Sequence, residues 1–99
     1  MADIKSFRNR LKMKDESARK LAIFDLQRVA KSDRAEAGKV FLAHLPHEAA
    51  EALRHRILEV LIEWEGKEIA PALERLARGE NSALAGEAKA ALEYVQSLH

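Results

Sequence analysis

The residues best suited to chemistry lie in the run HLPHE, where His44 and His47 stand three apart with Glu48 and Glu51 close by. Two imidazoles can share a metal ion when one helical face carries both. Pro46 stands between them and disfavours helical geometry at Leu45, so the two rings belong to different helices. There is no HExxH, and His55 lies two turns beyond His47. The expectation is that His44 lines the end of one helix and His47 helps begin the next, with no metal held between them. His99 is terminal and says nothing. A second candidate is the group Glu59, Glu63 and Glu65 beside Trp64. Glu59 and Glu63 share a solvent-facing side one turn apart, and no apolar pocket is in sight to raise a pKa, so acid–base catalysis is not expected of them. Trp64 fits a core anchor better than a binding aromatic. No nucleophile–base pair and no glycine-rich phosphate loop stands out. Cysteine is absent, which excludes disulfides, Cys-ligated zinc, iron–sulfur clusters and thiol catalysis. No catalytic residue, cofactor or metal is assigned.

What remains is charge. The chain of 99 residues carries a net charge of only +1, but unevenly: +4 over residues 1–14, +1 over 15–46 and −4 over 47–99. The first segment holds Lys5, Arg8, Arg10, Lys12 and Lys14 against Asp3, a basic arm able to contact an acidic protein, a phosphate backbone or the chain's own acidic half. The same gradient allows copies to associate head to tail. A local patch without a basic domain is a weak footprint for nucleic acid, and Phe7, the one aromatic in the arm, belongs to an apolar stripe.

The elements that must position these residues are helices. Leu, Ala, Glu, Lys and Arg dominate, hydrophobic residues make up 47%, and no stretch alternates as a half-buried strand would. Residues 3–12 form a short amphipathic helix with Ile4, Phe7 and Leu11 on one face. A helix over about 15–31 carries Ala18, Leu21, Ala22, Leu26 and Val29, widened by Ile23 and Phe24, and Asp15 or Ser17 caps it. Ser32 or Asp33 caps a third helix, about 33–45, with Ala37, Val40, Phe41 and Leu45 inward. The longest helix, about 47–65, buries Leu53, Ile57, Val60, Leu61 and Trp64 and stops at Gly66. A helix over about 67–78 has Pro71 in its first turn and closes at Gly79. The last, about 82–98, buries Leu84, Ala88, Ala91, Leu92 and Val95 and turns Glu87, Lys89, Glu93 and Gln96 to water. Each connection is short, so sequential helices are expected to pack as antiparallel hairpins. No apolar run approaches the roughly 20 residues of a membrane span, and MADIKSFRNRLKMK lacks the apolar core of a secretory signal, so the cytoplasm is the expected location.

Three helices share one frame. Ala18-Arg19-x-x-Ala22-x-x-Asp25-Leu26-x-x-Val29 aligns with Leu53-Arg54-x-x-Ile57-x-x-Val60-Leu61-x-x-Trp64 at an offset of 35 residues, and with Leu84-Ala85-x-x-Ala88-x-x-Ala91-Leu92-x-x-Val95 after 31 more. Asp15 and Asn81 stand three before the first apolar position in two of the units. With these features the chain resembles the HEAT-like repeat family. DESARKLAIFDLQRVA looks like the first helix of such a repeat, and KEIAPALERLARGEN, with its early Pro, is similar to the second. RAEAGKVFLAHLP departs from the second-helix pattern by lacking that Pro, and the third unit has only its first helix. The resemblance covers about 15–98. It implies an all-α fold, a short α-solenoid of stacked antiparallel helix pairs with about two and a half HEAT-like repeats. The single domain 1–99 then divides into a basic N-terminal capping helix (1–14), repeat 1 (15–46), repeat 2 (47–80) and a C-terminal half-repeat cap (81–99). Neighbouring repeats supply one another's core. Arg19 and Arg54 are read as repeat-register residues, each reaching a carboxylate or carbonyl of an adjacent repeat.

The function expected of this scaffold is non-catalytic: a protein–protein interaction module, an adaptor or assembly factor. The contact residues are Lys39, His44, Arg75 and Arg78 on the second helices, with Lys5, Arg8, Arg10 and Lys12 of the arm. The partner is another protein, and no membrane is involved. Two copies pairing through the C-terminal helix are an alternative to a capped end. Two rivals come from other classes: a nucleic-acid binder using the basic arm, and an accessory subunit like the bilin lyases, whose HEAT-like chains attach chromophores to protein cysteines.

Overall fold

Helix boundaries in the computed structural model, which describes residues 4–98, follow caps and helix breakers more closely than apolar periodicity. Among the described residues there are six α-helices: α1 (Ile4–Arg10), α2 (Glu16–Gln27), α3 (Arg34–His44), α4 (Glu51–Glu65), α5 (Ala70–Ala77) and α6 (Ser82–Gln96). Short 3-10 turns at Lys31–Asp33, Leu45–His47 and Gly66–Ile69 lead into α3, α4 and α5. None of these residues is in a strand, so the all-α class stands. The expected start of the first helix at Asp3, and His99, lie outside the described residues.

Asp15, in extended geometry, caps α2 by accepting a hydrogen bond from the Ser17 N–H at 3.3 Å, and Asn81 caps α6 by accepting from the Leu84 N–H at 3.1 Å. Each satisfies one of the free amides that a helix start leaves. Asp33 stands at the α3 start without a side-chain cap bond, because the preceding 3-10 turn already holds it in helical geometry. Gly66 has φ +55°, the left-handed conformation that ends α4 and that a side chain would strain. Pro71 sits in the first turn of α5, where its missing N–H costs nothing.

The chain divides into two compact units, Met1–Leu53 and Arg54–His99, and the division falls inside α4. In the first unit α1 packs against both α2 and α3. Ile4, Phe7 and Leu11 are buried, as are Ile23 and Leu26 of α2 and Val40 and Phe41 of α3. One expected core residue is turned out: Leu21 is 60% exposed. At about 100° per residue, Leu21 and Ile23 lie on opposite flanks of Ala22, and the helix buries the Ile23 flank. The second unit packs α5 on α6, around Ile57, Leu61, Leu73, Leu84 and Val95. Trp64, expected to be an inward anchor, is only half-buried there.

Candidate partner-binding groove

The first unit is tied at one end by a buried carboxylate. After the Leu45–His47 turn the chain straightens at Glu48 (φ −84°, ψ 116°), instead of entering a helix at 47, and the Glu48 side chain turns inward with 2% of the residue exposed. Arg19 of α2 meets it: Nε donates at 3.0 and 3.2 Å to the two carboxylate oxygens and Nη2 donates at 3.0 Å. The His44 Nε2 lies 2.8 Å from Oε1, and the Ala50 N–H donates to Oε2 at 3.0 Å. Arg19 Nη1 donates to the carbonyls of Met13 and Lys14 at 2.9 and 2.8 Å. One guanidinium thus holds the loop after α1, the start of α2 and the segment before α4. Burial pushes the Glu48 carboxyl upward, but the hydrogen bonds from Arg19, His44 and the Ala50 amide outweigh it and keep the group below the usual carboxylate range. The same hydrogen bond, working against burial, raises Arg19.

Beside this clasp lies a groove of about 670 Å³. Leu11, Met13, Val40 and Ala43 form its apolar surface, Arg8, Lys12 and Arg19 line it with cations, and His44 and His47 add their imidazoles. No carboxylate is among the described residues that line it. Arg19 spends most of its donors on Glu48 and the two carbonyls, so the groups available to a visitor are Arg8, Lys12 and His47, all exposed. Met13 is a large apolar side chain left half in water. The arrangement suits a ligand that is anionic and partly apolar.

Of the contact residues expected from sequence, the groove gathers Arg8, Lys12 and His44. His44, expected among the contact residues, is buried at the end of α3 with its Nε2 2.8 Å from Glu48, and it forms part of the groove wall. Arg10 is committed within its own unit: Nη2 donates to Asp25 at 2.8 Å and the guanidinium lies 5.1 Å from the centre of the Phe7 ring. Lys5 and Lys39 are exposed but do not line the groove, and Arg75 and Arg78 lie in the other unit, exposed at the end of α5. Sequence reading missed Glu48 as the organising residue. The signal for it was present only as an acidic residue just past Pro46, 29 positions from its arginine.

The second unit contains the corresponding pair. Arg54 Nε donates to Glu87 Oε1 at 2.7 Å and Nη2 donates to Oε2 at 3.0 Å, a two-point contact in which both side chains are largely buried. Glu87 therefore is not part of the wet face of α6 to which the sequence reading assigned it; the spacing alone does not show that a buried arginine waits opposite. Among the described residues no helix is long and apolar enough to cross a membrane. Compared with family models, with curated proteins and with solved structures, the chain finds no match.

Proposed function

We propose that the chain is a non-catalytic adaptor whose first unit takes an acidic, partly apolar segment of another protein. One observation carries this reading: an apolar groove whose exposed cations, Arg8 and Lys12, meet no carboxylate among its described lining residues. A cleft of one sign with low-dielectric walls concentrates ligands of the opposite sign. Met13 adds an adaptable apolar contact of the kind that tolerates varied partners. We also keep the HEAT-like reading of residues 15–98 as helix pairs stacked into a short solenoid of about two and a half repeats. The support for it is that Arg19 and Arg54, equivalent in the repeat frame, each hold a carboxylate further along the chain, 29 and 33 residues away.

The test is fluorescence anisotropy with a labelled peptide of alternating Glu and Leu, and with its Lys-for-Glu counterpart. The Glu peptide is expected to bind, and Arg8→Glu with Lys12→Glu to weaken it by about tenfold or more, since two favourable charge contacts become two repulsive ones. Lys39→Glu, outside the groove, leaves binding unchanged. Equal binding of both peptides overturns the proposal. Tighter binding of a DNA duplex or RNA, collapsing as salt rises, replaces it with the nucleic-acid reading. A tetrapyrrole spectrum acquired on co-expression with bilin replaces it with the lyase-like one.

A further inference from the structure

The second unit carries a cleft of the opposite character, about 990 Å³, bounded by α4 and α6. Leu58 and Ile62 of α4 and Ala90 and Tyr94 of α6 make it apolar, and Tyr94 stands largely in water. Its described lining residues include Glu59, Glu63 and Glu87 and the imidazole of His55, which lies 3.7 Å from Glu87, but no Lys or Arg. Glu87 is taken by Arg54. Glu59 and Glu63 stand at the rim, both exposed and one helical turn apart; Glu59 forms only a solvent-exposed ion pair with Arg56 at 3.9 Å.

Gly86 supplies an independent observation. It lies within α6, in its second turn, and lines the cleft, and a Cβ built there would meet no atom within 4 Å. Its φ is not in the left-handed range, so neither backbone conformation nor packing within the chain requires glycine, although an internal helical glycine weakens the helix relative to alanine. What the missing side chain provides is room for another backbone to come close.

We propose that this cleft docks an amphipathic helix of another protein, its apolar face flanked by Lys or Arg residues one turn apart. The apolar stripe fills the space over Leu58, Ile62 and Tyr94, the helix backbone approaches at Gly86, and the cations meet Glu59 and Glu63. A second copy docking symmetrically through the same face brings no Lys or Arg of the described lining to Glu59 and Glu63, so it leaves them without a matching cation.

The probe is a synthetic helical peptide of about 15 residues, matching the length of α6, with Leu on one face and Lys on both flanks; its control has Glu for Lys. By anisotropy the Lys peptide is expected to bind at least about tenfold tighter than the Glu peptide. Glu59→Lys with Glu63→Lys is expected to reverse that preference. Gly86→Leu is expected to weaken the Lys peptide by about tenfold or more while melting of the protein stays level or rises, which separates a blocked cleft from a lost fold. Equal binding of the two peptides, or undiminished binding by Gly86→Leu, overturns the proposal. So does a wild-type dimer in sedimentation that Gly86→Leu dissociates while no peptide binds.

Discussion

Replacing Arg54 by alanine tests whether that residue serves the scaffold or a partner. Its side chain and that of Glu87 are 9% and 14% exposed, and two hydrogen bonds of 2.7 and 3.0 Å join them. Removing one member of a fully buried ion pair costs roughly 3–5 kcal/mol, because the other charge is left without compensation. Here some water reaches Glu87, so a loss of about 2 kcal/mol is expected, the size of a charge-assisted hydrogen bond with partial relief. For a chain of this size that lowers the melting temperature by about 8–16 °C. Trp64 is the only tryptophan and lies in the same unit, so urea unfolding followed by its fluorescence reads the effect directly. The companion variant Arg54→Met with Glu87→Leu removes both charges and fills their volume, and it should recover most of the lost stability. Unchanged melting of Arg54→Ala, with binding of a partner lost instead, would refute the reasoning. A double variant as weak as the sum of its parts would refute it as well.

Glu48→Gln should destabilise the protein by about 3 kcal/mol, since it removes the charge that Arg19 and His44 face in a buried site; thermal or urea unfolding measures it. The same carboxylate sets an acid limb: held below the ordinary glutamate value of about 4.5 when folded, it adds stability that is full above that pH and is lost as pH falls through the folded value. Acid titration of wild type against Glu48→Gln should therefore show a steeper loss below about pH 4.5 in the wild type, and parallel curves would contradict the pairing. Gly66→Ala should cost about 1 kcal/mol in urea unfolding; the penalty lies wholly in the left-handed backbone, because a Cβ at that position meets nothing within 4 Å.

Local rules carried well where one helix contains its own signal. Ile4, Phe7 and Leu11 are buried at helical spacing, Asp15 and Asn81 cap α2 and α6, and Gly66 stops α4 with the backbone angle that its type allows. The reading failed where the answer lies in another element. Leu21 and Ile23 flank Ala22 alike, and only the position of the helices packed on α2 decides which is buried. Pro46 announces that α3 cannot continue, but not that three residues form a 3-10 turn and leave Glu48 extended and pointing inward. Glu87 looks solvated in its own helix, and what buries it is Arg54, 33 residues earlier. The groove was half legible for the same reason. Arg8 and Lys12 were expected contacts, whereas Arg19, His47 and Met13 join them through the clasp at Glu48 rather than through any spacing within a helix.

Whether the first unit's groove receives an acidic segment is tested most directly by nuclear magnetic resonance. Amide shifts of the isotope-labelled protein would be followed while the alternating Glu and Leu peptide is titrated in. The expected result is a saturable set of changes at Arg8, Lys12, Met13 and His47, the residues at the groove, which vanishes in Arg8→Glu with Lys12→Glu. Changes confined to residues of the second unit, or spread evenly over every exposed lysine and arginine, would contradict a built site in that groove.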